Sequence, residues 1–141
     1  MENQKDNIVL DVWDKLNHAY DSVKKAHSRQ MYAHNLTAPQ FHVLEVLMKT
    51  GPIPLKKISE ELLVTGANIT CVVDNLEKED LVKRVPSKKD RRIINAELTD
   101  KGREKIDNLF PEYSNGLSES MKELTENEKK ELIRLLEKVS G

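Results

Sequence analysis

The sequence predicts a mainly α-helical protein with one small β-hairpin. Apolar residues recur at steps of three and four over most of the chain, which is the spacing of amphipathic helices. Residues 81–85 and 92–98 are instead rich in β-formers, and the polar loop 86–91 joins them as in a hairpin. Charged residues make up 33% of the chain and aromatic residues 4%, which favours helices with a large charged surface.

Length and composition restrict the class of protein. A chain of 141 residues forms one domain, or one domain with dimerisation arms, and can bury a core. We expect a soluble cytoplasmic protein with no membrane contact, because neither a bilayer-length apolar run nor a secretion signal is present. The single cysteine, Cys71, excludes an intrachain disulfide. The four histidines lack the spacing of zinc ligands, so no metal or cofactor is expected.

The first helix is predicted over residues 8–34 and is longer than a small domain requires. Its apolar stripe therefore predicts contact with a second subunit as well as with its own core. The stripe consists of Val9, Val12, Trp13, Leu16, Tyr20, Val23, His27 and Met31.

The second helix begins at Thr37, which forms a capping box with Gln40. Apolar side chains cover most of its circumference, so we expect a central, buried helix that ends at Gly51. Residues 53–55 are too few, and too rich in proline, for a central strand. They are predicted as a short edge strand beside the hairpin.

Two short amphipathic helices follow. The first spans residues 56–64, with Leu62 and Leu63 among its inward-facing side chains. Thr65 can cap the second, which runs to about Asp80. The exposed face of this second helix starts with small, neutral, hydrogen-bonding side chains that can approach a DNA major groove closely. That face consists of Ala67, Asn68, Thr70, Cys71, Asp74, Asn75 and Lys78.

The hairpin concentrates positive charge. Residues 83–92 contain six Lys or Arg and one acidic residue, in a chain of formal net charge −1. This indicates a polyanion partner, because phosphate neutralisation releases counterions. Helix, turn, helix and basic hairpin, in that order, form a winged helix-turn-helix, a DNA-reading module. The candidate contacts are Thr65 and the helix residues given above, with Lys88, Lys89, Asp90, Arg91 and Arg92 of the wing. Lys56 and Lys57 are candidate phosphate contacts. For these two, and for Asn75 and Lys78, a plain surface role is the alternative.

The C-terminal segment is predicted as two helices. Thr99 caps the first, which Pro111 should kink or interrupt, and Thr125 with Glu128 forms a second capping box. Apolar stripes at both ends of the chain predict a joint dimer interface. Its candidate residues are Val9, Val12, Leu16, Leu117, Leu132, Leu135 and Leu136. Residues 1–36 and 100–141 are thus assigned to dimerisation, and residues 37–99 to DNA binding, within one compact chain.

Five motifs resemble the MarR (multiple antibiotic resistance regulator) family of winged-helix transcription factors. They are LTAPQF at 36–41, VTGANIT at 64–70, DNLEK at 74–78, DRR at 90–92 and LTDKG at 98–102. The resemblance covers residues 36 to 103 with the family's spacing. It implies an obligate homodimer on a pseudo-palindromic double-stranded DNA operator.

The resemblance also implies how the module would dock. The helix of residues 65–80 would lie in the major groove, and the wing would reach the adjacent minor groove, with Arg92 or Arg91 inserted and Asp90 orienting the arginine. A guanidinium suits a narrow, negative minor groove, and a neighbouring carboxylate can hold it.

Two positions depart from the family's pattern. Cys71 stands where members often carry Arg, which removes a base or phosphate contact and leaves the operator sequence open. Asp80 replaces the usual Gly before Leu81, so an aspartate must accept the turn.

The resemblance further implies a repressor released by a small phenolic or quinone-like ligand or by chemical stress. Family members often bind such a ligand between the dimerisation helices and the DNA-binding lobe. Candidate lining residues are Trp13, Tyr20, His27 and Phe41, for which core or interface packing is the alternative.

Two other functions stay open from the sequence. Cys71 lies near a helix N-terminus and basic groups, where a thiol can act as a redox or electrophile sensor, although it can equally be a small contact residue. A winged-helix protein-interaction module is the other. An enzyme is not expected, because the phosphate-binding, nucleophile and zinc-protease motifs are missing.

Overall fold

The computed structural model describes residues 4–141, and burial from residue 7 onward. The first three residues of the segment assigned to dimerisation therefore lie outside the described residues. The elements are α1 (Gln4–Ala33), α2 (Ala38–Thr50), β1 (Ile53–Pro54), α3 (Leu55–Leu62), α4 (Gly66–Lys78), β2 (Val82–Pro86), β3 (Ile94–Leu98), α5 (Asp100–Ser120) and α6 (Glu126–Ser140). The predicted class, helical with a small hairpin, is confirmed.

Both predicted capping boxes are present. Thr37 Oγ1 accepts a hydrogen bond from the Gln40 backbone N–H, and Gln40 Oε1 accepts one from the Thr37 N–H, at 3.3 and 2.9 Å. Thr125 and Glu128 repeat this exchange at the start of α6, at 3.2 and 2.9 Å. Each box satisfies two N–H groups near a helix start that have no intrahelical acceptor, which places the start of each helix.

The hydrophobic core surrounds α2, as its all-round apolar pattern predicted. Phe41, Val43 and Leu44 are fully buried. The α2 helix contacts α1, α3, α4, α5 and β3, so it connects the two ends of the chain with the winged module. The remaining buried apolar side chains are Met31, Leu36, Leu47, Ile58, Ile69, Val73, Leu76, Leu81, Val82, Ala96, Ile106 and Leu109.

The three strands form one antiparallel sheet in the order β1-β3-β2. Val82 lies opposite Leu98 in the hairpin, and Ile53 lies opposite Ala96 on the other side of β3. Residues 53–54 therefore form the predicted edge strand. Pro54 is tolerated there because one edge of β1 has no neighbouring strand that needs a backbone donor.

Two expectations about single positions were wrong. Leu63, predicted to face inward, is 92% exposed because α3 ends at Leu62 and Leu63 adopts a left-handed conformation with φ 54°. Helical periodicity does not extend past that reversal. Of the kink or interruption expected at Pro111, the interruption was wrong, because α5 continues from Asp100 to Ser120 although proline cannot donate a backbone hydrogen bond; the kink stays a prediction.

A close junction attaches the wing to α5. Asp80 adopts φ 59°, so it accepts the turn as expected. Thr99 Oγ1 donates to the Asp80 carbonyl at 2.6 Å, and the Thr99 N–H donates to the Leu81 carbonyl at 3.1 Å. A Cβ added to Gly102 would lie 1.9 Å from the Leu81 carbonyl oxygen, so only glycine fits this contact.

Among the described residues, no helix is long and apolar enough to cross a membrane.

Candidate nucleic-acid interface

The α4 helix exposes the face that the sequence predicted. Thr65 Oγ1 caps it by accepting the Asn68 N–H at 3.1 Å, while Ile69, Val73 and Leu76 are buried on the opposite side. The candidate contact residues Thr65, Ala67, Asn68, Thr70, Cys71 and Asn75 are all exposed.

The hydroxyl of Thr70 has a defined orientation. It donates to the Gly66 carbonyl at 2.9 Å, which leaves its lone pairs available as acceptors. The N-terminal half of α4 therefore presents small side chains, among them the oriented acceptor of Thr70 and the exposed side-chain amide of Asn68.

The wing holds one arginine in a fork. Arg92 Nε and Nη2 each lie 3.1 Å from a carboxylate oxygen of Asp90, and the Arg92 backbone N–H donates to Asp90 Oδ1 at 3.0 Å. These hydrogen bonds, the side-chain pair first, lower the pKa of Asp90, so the carboxylate stays ionised. The Arg92 side chain is 91% exposed. A guanidinium held at one edge and open at the other is already oriented for an acceptor outside the protein.

The six basic residues of the hairpin are not equivalent. Lys83 pairs with Glu97 across the sheet at 3.0 Å, and Arg84 pairs with Asp74 and Glu77 of α4. Lys88, Lys89 and Arg91 are exposed around the wing tip with Arg92. Lys56 and Lys57 are exposed in the first turn of α3, where Lys57 Nζ is 3.8 Å from Glu60.

The four candidate ligand residues separate into two pairs. His27 and Phe41 come together on Tyr113 of α5, whose ring centroid is 4.8 Å from that of His27 and 4.5 Å from that of Phe41. Trp13 and Tyr20 are 59% and 64% exposed. They lie about 21 and 10 Å from His27 along α1, at 1.5 Å per residue, so they belong to another part of the surface.

Two buried polar atoms stand beside the aromatic rings. His27 Nε2 and Glu45 Oε2 are buried without a hydrogen-bond partner in the described part of the chain. Burial, assisted by nearby His42 and opposed by Glu45, lowers the pKa of His27. Burial and then the Glu45 charge raise the pKa of Tyr113. We call His27, Phe41, His42, Glu45 and Tyr113 the aromatic–polar cluster; it lies between α1, α2 and α5.

The candidate dimer residues lie on uncovered helix faces. Val9 and Val12 are 67% and 56% exposed, Leu16 and Leu117 are half-buried, and α6 has no buried residue. An open groove of about 470 Å³ lies between α1 and α6. Its apolar lining consists of Ile8, Val12, Leu16, Ala19, Leu132, Leu135, Leu136 and Val139.

Sequence reasoning missed two contributors to these sites. Tyr113 was assigned only to the apolar stripe of α5, and its proximity to His27 depends on how α1 and α5 pack. Arg84 was counted with the other basic residues of the hairpin. Its spacing of ten and seven residues from Asp74 and Glu77 gave no local signal, because a turn and a strand separate them.

Comparisons with known proteins identify the family. The model of the MarR family matches residues 36–94. The transcriptional regulator MhqR from Bacillus subtilis is 33% identical over 124 residues, which cover 88% of this chain and 86% of MhqR. The chain belongs to the MarR family. Its MarR relatives are DNA-binding transcriptional regulators rather than enzymes.

Solved structures agree on the MarR fold. A cysteine-to-serine variant of MarR from Escherichia coli in complex with operator DNA superposes with a TM-score of 0.85, at 23% identity, covering 94% of this chain and 96% of that one. BpsR from Bordetella bronchiseptica gives a TM-score of 0.83 at 24% identity, covering 93% and 99%. At this identity the two structures support the winged-helix fold alone.

Proposed function

We propose that this MarR-family protein is a homodimeric, sequence-specific repressor that a small phenolic or quinone-like ligand, or chemical stress, releases from its operator. The observation that carries the proposal is the fork of Asp90 on Arg92 at an exposed wing, combined with the small, neutral face of α4. A reading helix beside an oriented arginine is suited to adjacent major and minor grooves.

In this proposal each contact residue has a role. The Asn68 amide can pair with an adenine edge, the Ala67 methyl can contact a thymine methyl, and Thr70 can accept from a base amino group. Arg92 enters the minor groove, and Arg91 supports it. The proposed phosphate contacts are Lys56, Lys57, Lys88 and Lys89, while Thr65, Cys71 and Asn75 complete the face of α4.

A second copy of the chain is the proposed partner of α1 and α6. Residues 1–36 and 100–141 would form the dimerisation arms, and residues 37–99 the DNA-binding unit. The uncovered apolar lining of the α1–α6 groove supports this, because α6 has no buried residue and another chain would cover its apolar face. A two-fold dimer matches a pseudo-palindromic operator.

The aromatic–polar cluster is the proposed sensor. A phenolic ligand stacked beside Tyr113 could donate a hydrogen bond from its hydroxyl to Glu45 Oε2 or bind His27 Nε2, both of which are buried without a partner among the described residues. The structural relative BpsR has its DNA binding regulated by 6-hydroxynicotinic acid, a small hydroxylated aromatic acid, which supports this ligand class.

The proposed release mechanism is a shift in the populations of two dimer conformations. A ligand that binds better to a dimer with mismatched spacing between its reading helices shifts the population away from the DNA-bound state. A tenfold loss of DNA affinity needs about 1.4 kcal/mol of differential binding.

A thiol-based input is the second candidate. Cys71 is exposed on the face of α4 that would enter the major groove, so its oxidation or alkylation would interfere with docking. This alternative shares the DNA-binding output and differs in the signal. A Cys71→Ser protein that still responds to an oxidant or a quinone would exclude it.

The test is fluorescence-anisotropy binding to the upstream promoter DNA of the protein's own gene, over a salt series, with and without a benzoquinone and a simple phenolic acid. We expect tight binding with a steep salt dependence, one site per dimer, and release by one compound. If this DNA and a random duplex pool both fail to bind at low salt, DNA regulation is wrong, and a winged-helix protein-interaction module becomes the working hypothesis.

A further inference from the structure

Arg84 connects the first wing strand to the reading helix. Its Nη2 lies 2.6 Å from Asp74 Oδ1, its Nη1 lies 3.0 Å from Glu77 Oε1, and its backbone N–H donates to Glu77 Oε2 at 3.2 Å. The Arg84 side chain is 25% exposed, so the guanidinium is largely enclosed by this pair of carboxylates. One arginine thus makes three hydrogen bonds to two acidic residues that lie one turn apart on α4.

The two carboxylates occupy an unfavourable place for a DNA-binding helix. Asp74 follows Thr70 by four residues, and Glu77 follows it by seven, so both continue the exposed stripe that begins at Thr70. Both side chains are exposed, at 50% and 44%. Without a counter-charge they would repel the phosphates on either side of a groove that admits this helix.

We infer that Arg84 is a positioning residue that offsets one of the two negative charges of Asp74 and Glu77 and fixes the angle between α4 and the wing. The inference rests on the proposed function, because it needs α4 to face DNA. The pairing reduces the repulsion between α4 and the DNA phosphates, and Arg84 adds no free cation that would attract any sequence. Non-specific attraction is then left to the lysines at the wing tip and α3, and α4 contributes discrimination.

The experiment uses the full-length protein with a duplex that the wild type selects from a random pool and a scrambled duplex of equal length. The variants are Arg84→Met, the pair Asp74→Asn with Glu77→Gln, and the triple combination of all three changes. Lys83→Met is the matched control, since it removes a neighbouring cation of β2 that pairs with Glu97 and not with α4. Thermal unfolding is measured for every variant.

We expect Arg84→Met to weaken binding to the selected duplex by about tenfold or more, because like charges then face the phosphates. The triple variant should recover to within about threefold of wild type, because it removes the two carboxylates together with the arginine that offset them. Lys83→Met should stay within about twofold, as is usual for an exposed pair.

The acidic pair gives the sharpest readout. Asp74→Asn with Glu77→Gln frees Arg84, so binding to the scrambled duplex should strengthen and its salt dependence steepen by about 0.9 per freed charge. A purely structural role for Arg84 would not produce this gain. The inference is overturned if the triple variant does not recover, or if the acidic pair leaves scrambled binding unchanged.

A separate pair of variants distinguishes this failure from failure of the proposed function. Arg92→Ala and Asn68→Ala should both weaken binding to the selected duplex. If both variants weaken binding while the Arg84 variants do not give the expected changes in affinity, only the inference about Arg84 is wrong. If no variant matters and no duplex is selected, the proposed function itself is wrong.

Discussion

At the scale of single residues, the wing arginine is oriented before DNA arrives. Asp90 holds one edge of the Arg92 guanidinium with two side-chain hydrogen bonds at 3.1 Å. An arginine that is already ordered loses less conformational entropy on binding than a free one. In the proposed docking, the fork would therefore lower the entropic cost of an arginine contact at an exposed tip, where burial cannot contribute.

Arg92→Ala should weaken operator binding by at least about tenfold, since it removes a charge-assisted contact in the narrow minor groove. The fold and the dimer should be unchanged because the side chain is 91% exposed. Anisotropy titration and circular dichroism measure the two effects. Arg134→Ala is the control, because Arg134 forms a similar fork onto Glu131 on α6. Equal losses in the two variants would contradict the wing assignment.

Gly102 shows a residue-scale constraint on stability. Gly102→Ala places a Cβ 1.9 Å from the Leu81 carbonyl oxygen, so backbone must move. We expect a loss of about 1–3 kcal/mol in the free energy of unfolding, the usual range for overpacking. Urea denaturation measures it. Gly66→Ala, where a Cβ meets nothing within 4 Å, is the control and should change stability by about 0.5 kcal/mol or less. An unaffected Gly102→Ala protein would show that the α5–wing junction is not rigid.

At the scale of elements, α6 and the first half of α1 have apolar faces that this chain leaves largely uncovered. Their apolar residues stay exposed, including Val9, Val12 and Leu136, at 67%, 56% and 40%. Isolated helices of this length are marginal in water, so the proposed partner chain would add a surface that stabilises α6. The two helices together therefore favour a dimer.

Leu136→Glu should raise the dimer dissociation constant at least about tenfold, because it places a charge where about 1.5–3 kcal/mol of leucine burial is expected. Sedimentation velocity over a concentration series measures it. Lys130→Glu is the control, since that exposed residue of α6 is not part of the groove lining. A dimer of unchanged affinity would rule out α6 as the interface.

At the scale of the whole molecule, the aromatic–polar cluster lies where α1, α2 and α5 meet. The α2 helix packs on both α1, which carries His27, and α4, so α2 alone separates His27 from α4. The titratable groups that face His27 are His42 and Glu45 on α2, and Tyr113 packs on it from α5. In the proposed function, ligand or proton binding there would act on the packing between the dimerisation arms and the DNA-binding unit.

Stability should depend on the ionisation of His27. Its pKa in the folded protein is lowered below 6.5 because burial disfavours the charged imidazole. The unfolded chain therefore binds more protons as the pH falls through 6.5, and the folded protein loses stability until the pH is below the folded pKa. Well above pH 6.5 the imidazole is neutral in both the folded and the unfolded chain, so this loss of stability is absent.

Thermal unfolding between pH 5 and pH 8 measures the effect, where we expect the melting temperature to fall toward pH 5. His27→Phe should have a weaker pH dependence in this range, and His18→Phe, an exposed position on the same helix, serves as the control. If His27→Phe retains the wild-type slope, another group causes the pH dependence.

Local chemistry explains which sequence predictions succeeded. The capping boxes at Thr37 and Thr125, the turn at Asp80 and the apolar pattern of α2 depend on residues within a few positions of one another. The prediction that Leu63 faces inward was wrong because α3 ends at Leu62 and Leu63 adopts a left-handed conformation. The ion pairs of Arg84 were not predicted, because its partners lie on a different element and the sequence alone gives no sign that its charge is paired.

The sequence by itself determined the order and type of the elements, the MarR family and the exposed face of α4, because these follow from short-range periodicity, capping and motif spacing. Only the tertiary structure decided that Tyr113 joins His27 and Phe41 while Trp13 and Tyr20 lie elsewhere, and that Arg84 pairs with Asp74 and Glu77 of α4. Those facts depend on packing between helices and on hydrogen bonds across elements, which join residues that no local pattern relates.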